Sequence, residues 1–147
     1  MPENKILIIN GPNLDKIGQR DSAIYGVEPL SEVNILLERE ATKIDLTLIF
    51  QQFNHEGDII ESIHNASAKY DGLVINAGGF SHTSVAIHDA LEICKIPKIE
   101  VHLSNVLNRE EFRTNSIISK ACNGSVIGMG KVGYLAALFA IKQMLTN

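Results

Sequence analysis

Residues 5–10 read KILIIN and run directly into Gly11-Pro12, a strand pattern followed by a turn signal. Segments with helical spacing separate this run from four further short, largely apolar runs, so neighbouring strands are expected to pair in parallel through right-handed crossovers. Largely apolar strands are typical of a sheet that is covered on both faces. The pattern predicts an α/β fold in which residues 1–147 form a single domain, a three-layer α/β/α sandwich with a five-stranded parallel sheet. The four further runs are DLTLIFQ at 45–51, GLVIN at 72–76, KIEVHL at 98–103 and GSVI at 124–127.

The connections between these strands predict helices and one long loop. Residues 13–29 are polar and too long for an ordinary connection, which is typical of a functional lid or binding loop. Ser31 is the predicted N-cap of the first helix, whose apolar positions are Val33, Leu36, Leu37, Ala41 and Ile44. A second helix is predicted to open at 54–57, and a third to be capped by Ser81, Thr83 or Ser84 and to end near Cys94. A short helix is predicted to cover 109–113, and a last helix to follow the fifth strand.

Composition excludes several classes of protein. Of the 147 residues, 45% are apolar and 20% are charged, ordinary values for a globular protein and not those of a wholly disordered chain. Thirteen Lys and Arg against seventeen Asp and Glu give a formal net charge of −4, which argues against a general nucleic-acid binder. The first ten residues are too polar for a signal peptide, and no apolar run approaches about 18 residues. We therefore expect a cytoplasmic protein that binds neither nucleic acid nor membrane, with Cys94 and Cys122 as reduced thiols.

Polar segments follow four of the five predicted strands. The segments 11–25, 52–56, 76–83 and 102–113 are rich in Asn, His, Arg and Ser. In a doubly wound sheet, ligands bind beyond the carboxyl ends of the strands, where these segments meet. They predict a polar ring at one edge of the sheet. An acidic protein can still hold an anionic small molecule there, because a pocket can be locally positive.

Glu100 and His102 are two residues apart on a predicted strand, so their side chains point to the same face. A carboxylate beside an imidazole fixes the orientation of the ring and stabilises its charged form, which is what a general acid needs. The alternative that spacing alone leaves open is a hydrogen-bonded histidine at a strand end with no chemical role.

Arg20 and Tyr25 lie five residues apart on the long polar loop. A tyrosine has an ordinary pKa of about 10, so it acts as a base at neutral pH only beside a cation. Arg20 is the candidate cation. The alternative is an exposed arginine and a packed tyrosine with no role in chemistry.

Two further patterns do not support a metal or cofactor site. The five histidines include no HExxH motif, and His82 and His88 are six residues apart, on different faces of a helix. The sequence GMGKVG at 128–133 matches GxGxxG, but it follows the last strand rather than the first. Close packing of a helix on the sheet explains these glycines better.

Four segments, taken in order, carry a resemblance to a known family. A further segment, GMGKVGY ending at Tyr134, matches the C-terminal pattern of the same family. The chain thereby resembles type II 3-dehydroquinate dehydratase over nearly its whole length. The four segments are NGPNL at 10–14 with Gly18, Arg20 and Tyr25-Gly26 after it, FNHEG at 53–57, INAGGFSHTSVA at 75–86, and EVHLSNV at 100–106 with REEFR at 109–113.

The resemblance implies a flavodoxin-like fold and the dehydration of 3-dehydroquinate to 3-dehydroshikimate in the shikimate pathway, with no cofactor and no metal. The elimination would be anti and would pass through an enolate. Tyr25 would be the base that takes the C2 proton, with Arg20 lowering its pKa and stabilising the developing charge. Asn13 would help to hold a water against the enolate oxygen. His102 would be the acid that protonates the departing C1 hydroxyl, with Glu100 orienting it.

The resemblance also implies which residues bind the substrate and how the chain assembles. Asp89 would reach the site of a neighbouring subunit, since the family forms trimers packed into a dodecamer. Within one subunit, the implied binding groups are Asn76 and the backbone amides of Leu103 and Ser104 for the carboxylate, His82 and Arg113 for the ring hydroxyls, and Arg109 on the lid side.

Some positions depart from the usual pattern of the family, and none of them removes a proposed catalytic group. Because Asp21 is next to Arg20, we expect it to weaken the field of the arginine at Tyr25 and to make turnover differ from that of typical members. The departures are Asp15-Lys16 for a neutral pair, Asp21-Ser22 for Glu-Pro, Leu107-Asn108 for the frequent His-Ala, and His88 for an arginine.

Two other classes of function are the alternatives. A non-catalytic flavodoxin-like module would bind a phosphate or a flavin through the glycine turns, and a flavin would colour the purified protein yellow. Against it, no phosphate fingerprint lies at the right place, and aromatic residues make up only 5% of the chain. A dehydratase that uses a Schiff-base lysine would be trapped by borohydride in the presence of substrate.

Overall fold

The computed structural model describes residues 3–19 and 21–147. Within this part of the chain, five strands form a parallel sheet, and helices cover both faces. The α/β architecture and the parallel sheet expected from the sequence are confirmed. The strands are β1 Asn4–Asn10, β2 Leu46–Gln52, β3 Gly72–Asn76, β4 Lys98–His102 and β5 Gly124–Ile127, in the order β2-β1-β3-β4-β5 across the sheet. The α-helices are α1 Ser22–Tyr25, α2 Leu30–Thr42, α3 Glu56–Lys69, α4 Val85–Ile93 and α5 Val132–Thr146.

Alternate side chains of β1 pack into two separate cores. Ile6 and Ile8 join the buried residues of α2 and α5, whereas Leu7 and Ile9 join those of α3 and α4. All four side chains are fully buried. A central strand that is covered on both faces needs apolar side chains on both, and this is why 6–9 is a continuous apolar run.

The structure corrects one helix cap and selects another. α2 begins at Leu30, and the carbonyl of Pro29 accepts the backbone N–H groups of its first turn. Ser31 is therefore inside the helix, and its prediction as the N-cap is wrong. At α4, the Oγ of Ser84 accepts the N–H of Ile87 over 2.9 Å, so Ser84 is the cap among the three candidates.

Several predicted boundaries also shift, among them the start of β1, at Asn4 rather than 5, and the end of β2, at Gln52 rather than 51. β2 begins at Leu46 rather than 45, because Asp45 has a φ of 58° and belongs to the preceding turn. β4 ends at His102, one residue earlier than predicted. In place of a helix at 109–113 there are two 3-10 turns, Val106–Asn108 and Glu111–Arg113.

The loop at 13–29 is partly ordered into short elements. Residues Leu14–Lys16 form a 3-10 turn, and α1 follows after residue 20. The Oδ1 of Asp21 caps α1 by accepting the N–H of Ala23 over 3.0 Å. Asp21, one of the departures from the family pattern, thus stabilises the turn that carries Tyr25.

α5 packs closely against the sheet. A Cβ built on Gly133 would lie 3.4 Å from Val126 Cγ1 and 3.5 Å from Val101 Cγ1, so the glycine permits the close approach expected from the sequence. Tyr134 and Leu138 are buried on the inner side of the helix, whereas Phe139 is exposed. Among the described residues, no helix is long and apolar enough to cross a bilayer.

Gly11 allows the ends of β1 and β3 to come together, and its substitution provides a test of this packing. Its N–H donates to the carbonyl of Asn76 over 2.7 Å, and a Cβ built on it would lie 2.5 Å from the carbonyl oxygen of Ala77. Because both contacts involve buried backbone, we predict that Gly11→Ala lowers the free energy of unfolding by about 1–3 kcal/mol. Thermal unfolding followed by circular dichroism measures the change as a lower Tm.

Gly57→Ala is the matched control. Gly57 lies in the first turn of α3, and a Cβ built on it has no atom within 4 Å. Alanine is the better helix former, so this variant should unfold at the wild-type Tm or slightly above it. Equal Tm values for the two variants would contradict the packing described here.

Candidate active site

A small cavity of about 110 Å³ lies beyond the carboxyl ends of β1, β3 and β4. The loop after β1, the helix α1, the turn after β3 and the segment after β4 all contribute to its wall. Nine of the twelve residues predicted for the site line it: Asn13, Tyr25, Asn76, His82, His102, Leu103, Ser104, Arg109 and Arg113. A second cavity of about 650 Å³ adjoins it beneath the lid and shares Tyr25, Leu103, Ser104 and Arg109 with it.

The other three predicted residues lie elsewhere. Glu100 is behind His102, fully buried in β4. Asp89 is on α4 and is not among the residues that line the small cavity. Arg20 lies outside the described residues.

Glu100 and His102 form a buried ion pair. The Nε2 of His102 is 2.8 Å from Oε2 of Glu100, and the two residues are 0% and 4% exposed. Burial alone would raise the pKa of Glu100, but hydrogen bonds from His102, Ser116 and Ser119 lower it to about 2. The carboxylate is therefore ionised at neutral pH and only accepts, so Nε2 donates to it. The other ring nitrogen, Nδ1, is then the one that can serve a ligand in the cavity.

The ring of His82 lies beside that of His102. The two ring centroids are 6.0 Å apart and the planes differ by 24°, a stacked arrangement. The Nδ1 of His82 is held 3.0 Å from the carbonyl oxygen of Asn115. This contact joins the turn after β3 to the segment after β4, and both rings line the same cavity.

Arg109 contacts both the lid and the segment after β4. Its Cζ lies 5.0 Å from the ring centroid of Tyr25, and its Nη1 donates to Oγ of Ser104 over 3.1 Å. A guanidinium over an aromatic face is an attractive cation–π contact. Local spacing pairs Tyr25 with Arg20 and gives no sign of this contact, because positions 25 and 109 are far apart in the sequence.

A buried tyrosine holds Asn76 in place. The Nδ2 of Asn76 donates to the hydroxyl of Tyr134 over 3.1 Å, and that hydroxyl donates to Oδ1 of Asn10. The N–H of Gly78 donates to Oδ1 of Asn76 over 3.2 Å. Burial raises the pKa of the Tyr134 phenol well above its ordinary value, so the hydroxyl stays protonated and keeps donating. The motif GMGKVGY, which ends at Tyr134, is the sequence signal for this residue, although the motif alone does not indicate its hydrogen bonds.

The end of β2 supports the loop that carries Asn13. The backbone N–H of Asn13 donates to Oδ1 of Asn54 over 3.1 Å, and Asn13 has a left-handed φ of 69°. The Nε2 of Gln52 donates to the carbonyl of Gly11 over 3.0 Å and to Oδ1 of Asn54 over 3.2 Å. These bonds fix the backbone where the chain enters the lid.

Arg113 also lines the cavity and forms an ion pair with Glu110. Its Nε donates to Oε2 of Glu110 over 2.6 Å. Arg109 lies 3.9 Å from the same carboxylate oxygen. Hydrogen bonds within residue 110 and from Arg113 lower the pKa of Glu110. This one exposed carboxylate therefore stays ionised beside both cavity arginines.

Asp89 belongs to a small polar cluster on α4. The Nδ1 of His88 is 3.0 Å from Oδ1 of Asp89 and 3.4 Å from Oε1 of Glu92. In the part of the chain that the structure describes, these three are the residues whose ligand atoms lie close enough to hold a metal ion. The two carboxylates are largely exposed, and none of the three residues lines the small cavity.

Comparison with known proteins identifies the family. The family Dehydroquinase class II matches residues 4–142. The chain belongs to the class II dehydroquinases. It is 46% identical over 142 residues to the 3-dehydroquinate dehydratase of Caldicellulosiruptor saccharolyticus, with 96% of this chain and 98% of that protein covered. It is 47% identical over 141 residues to the 3-dehydroquinate dehydratase of Thermotoga petrophila, with 96% of each covered.

Solved structures of class II dehydroquinases have the same fold. The type II dehydroquinase of Butyrivibrio crossotus superposes with a TM-score of 0.93 at 42% identity, covering 95% of this chain and 97% of that one. The enzyme of Propionibacterium acnes superposes with a TM-score of 0.92 at 36% identity, with the same coverage of 95% and 97%. The resemblance stated from the sequence motifs is thereby confirmed, and the family is one of hydro-lyases.

Tyr134 supplies a prediction for a class II dehydroquinase site. Tyr134→Phe leaves Oδ1 of Asn10 and Nδ2 of Asn76 buried without the shared hydroxyl, which should lower the free energy of unfolding by about 1–3 kcal/mol. Because Asn76 can then rotate, KM for the substrate should rise more than kcat falls. Steady-state kinetics together with thermal unfolding measure both effects.

Tyr70→Phe is the matched control for this variant. Tyr70 is half-buried at the end of α3, on the opposite side of the sheet from α5. Its variant should keep wild-type kinetics. A Tyr134→Phe protein with unchanged KM would show that the hydroxyl does not orient Asn76.

Proposed function

We propose that this protein dehydrates 3-dehydroquinate to 3-dehydroshikimate, a step of the shikimate pathway in the cytoplasm. The observation that supports this most directly is that Tyr25 and His102 line one small cavity, with the ionised Glu100 paired to His102 behind it. A base and an acid facing one cavity can remove a proton and a hydroxyl from the same substrate. The curated relatives named 3-dehydroquinate dehydratase support the choice of substrate.

The substrate is an anion, and the cavity offers groups for a carboxylate. Asn76 lies at the end of β3, and the backbone of Leu103 and Ser104 follows β4. Arg109 and Arg113 add positive charge to the wall, which favours an anion although the chain as a whole is acidic. His82 and Arg113 are the proposed partners of the ring hydroxyls.

The proposed chemistry is an anti elimination in two proton transfers. Tyr25, as phenolate, takes the C2 proton, and the electron pair of the C–H bond forms an enolate with the neighbouring ketone. A water held by Asn13 stabilises the enolate oxygen. The enolate then reforms the carbonyl and expels the C1 hydroxyl, which takes a proton from His102 and leaves as water. Glu100 holds the imidazole in place throughout and stays ionised.

Positive charge near Tyr25 is part of this proposal. The guanidinium of Arg109 lies over the tyrosine ring, where it stabilises negative charge on the phenolate. Arg20 is proposed as the second cation of the lid. No cofactor or metal enters any step. No lysine is found among the described residues that line the small cavity, and Lys131, which lines the adjoining larger cavity, is paired with Glu28.

Isotope exchange separates the two proton transfers. With 3-dehydroquinate in deuterated water, Tyr25→Phe should lose both dehydration and exchange of the C2 hydrogen. His102→Ala should lose dehydration but keep measurable exchange, because the enolate still forms and is reprotonated. Each loss should be about 10²–10⁴-fold, the usual contribution of one positioned acid or base. Mass spectrometry of the recovered substrate measures the exchange.

Matched controls remove general effects of the substitutions. Tyr70→Phe and His64→Ala change the same residue types at positions on α3 or at its end, and both should keep wild-type rates. Normal exchange in Tyr25→Phe would mean that another group is the base. Wild-type dehydration in His102→Ala would remove that residue from the acid role.

We also propose that the chain assembles into trimers packed as a dodecamer, with Asp89 serving a neighbouring site. Its carboxylate on α4 is largely exposed and does not line the small cavity of its own subunit, which is compatible with that role. Val85 and Ile93 are exposed apolar side chains at the two ends of the same helix, and contact with a neighbouring subunit would bury them.

Mixed oligomers test the shared site. Asp89→Ala and Tyr25→Phe subunits, each inactive alone, should regain activity when co-expressed with different tags and purified together. Equal random mixing should restore roughly a quarter of wild-type activity, because half of the sites hold Tyr25 and half of those meet an intact Asp89. Asp58→Ala mixed with Tyr25→Phe is the control for simple dilution. A fully active Asp89→Ala protein, or a fully active monomer in sedimentation, would refute the shared site.

A further inference from the structure

Three serine hydroxyls surround the carboxylate of Glu100, and we call Ser116, Ser119 and Ser125 the serine cage. Oε1 of Glu100 accepts hydrogen bonds from Ser119 and, over 2.8 Å, from Ser125. Oε2 accepts from Ser116 over 2.5 Å and from Nε2 of His102 over 2.8 Å. Among the described residues, each carboxylate oxygen therefore has two donors, which fixes its orientation as well as its charge.

The serine cage comes from three separate parts of the chain after β4. Ser116 follows the 3-10 turn Glu111–Arg113, Ser119 opens the 3-10 turn Ser119–Ala121, and Ser125 is the direct neighbour of Glu100 on β5. Ser116 also lies 3.4 Å from the carbonyl of Ser81, but its single proton has the much shorter path to Glu100. Pairing of β4 with β5 requires only backbone hydrogen bonds, so the three serine side chains around this fully buried carboxylate are not needed to form the sheet.

We infer that the serine cage positions the acid of the proposed reaction. The serines hold Glu100 in the one orientation that directs His102 into the cavity, and they limit how strongly this carboxylate attracts the imidazole proton. The inference deepens the proposed function and rests on it, because it assigns residues to the support of the proposed acid. None of the three serines lines the small cavity, so they act through Glu100 rather than on substrate.

The low pKa of Glu100 agrees with this arrangement. Hydrogen bonds from Ser116 and Ser119 are two of the causes that offset burial and bring the pKa to about 2. The thiol of Cys122 is also affected by the negative charge of Glu100. Burial first, and then the negative charge of Glu100, raise the pKa of the Cys122 thiol to about 12.

Other charged and titratable groups near the pair must be considered in any pH experiment. The turn after β3 contributes His82, the lid contributes Tyr25, and the segment after β4 contributes Arg109 and Arg113. Cys122, at the end of the 3-10 turn Ser119–Ala121, interacts with the charge of Glu100, and Lys98 of β4 acts in turn on Cys122. Substitution of a serine leaves all of these groups in place.

The direction of the expected change follows from electrostatics. Each hydroxyl withdraws negative charge from Glu100, so a carboxylate with fewer donors holds the proton of His102 more tightly. The alkaline limb of kcat, where the acid is lost, should move to higher pH in Ser119→Ala and Ser125→Ala. In Glu100→Gln the negative charge is absent, and the limb should move to lower pH. A variant that only destabilises the fold should leave the alkaline limb at its wild-type pH.

The kinetic experiment compares serine variants with and without a hydroxyl. Ser119→Ala and Ser125→Ala should each lower kcat on the order of 10-fold, with KM nearly unchanged. Ser125 is exposed at the sheet edge, so Ser125→Thr keeps the hydroxyl, has room for the added methyl and should restore kcat. Ser62→Ala is the matched control: that half-buried hydroxyl donates to Gln51, neither residue lines the small cavity, and the variant should be silent.

A second measurement needs neither substrate nor turnover. In protein with ¹⁵N-labelled histidine, the ring N–H of His102 that donates to Glu100 gives a downfield proton resonance, assigned by its loss in His102→Ala. This resonance should shift in Ser119→Ala and Ser125→Ala, and keep its wild-type position in Ser125→Thr and Ser62→Ala.

The two measurements distinguish failure of this inference from failure of the proposed function. A wild-type protein inactive on 3-dehydroquinate would remove the proposed function, and the N–H resonance would still report whether the serine cage acts on His102. An unmoved resonance and an unmoved pH limb in the Ser119→Ala, Ser125→Ala double variant would overturn the inference, whether or not kcat falls. Ser125→Thr behaving like Ser125→Ala would overturn it as well.

Discussion

The buried negative charge of Glu100 is the constraint around which the end of β4 is organised. An ionised carboxylate without access to water is stable only when donors replace its hydration, and here an imidazole and three serine hydroxyls do so. Meeting that requirement brings Ser125 of β5, and Ser116 and Ser119 of the connection between β4 and β5, against one side chain. The same requirement fixes the ring of His102, so the electrostatics that stabilise the strand end also prepare its chemistry.

The sheet topology explains why the remaining groups converge on this pair. β1, β3 and β4 are neighbours in a parallel sheet, so their carboxyl ends place Asn13, Asn76 and His102 around one cavity. Tyr134 bridges the ends of β1 and β3 from α5, and Arg109 links the segment after β4 to the lid. Each strand end is therefore held by a contact from another layer, which keeps the cavity walls in register.

Much of the fold and of the candidate site was predictable, because it depends on local periodicity. The apolar runs located the five strands, and the two-residue period of a strand placed Glu100 and His102 on one face. The boundaries at Ser31 and Asp45 failed because a proline carbonyl and a left-handed turn took precedence over propensity. The serine cage and the contact of Arg109 with Tyr25 join distant segments, and no spacing rule in a single sequence reports such pairs.

The central claim is that this site removes water from 3-dehydroquinate using the protein's own side chains. The most direct measurement follows the ultraviolet absorbance of the conjugated enone product after purified protein, treated with EDTA and free of added cofactors, is mixed with 3-dehydroquinate. The account predicts a steady rise in absorbance with wild-type protein and a rise about 10²–10⁴-fold slower with His102→Ala. Wild-type protein that produces no more enone than His102→Ala would contradict it.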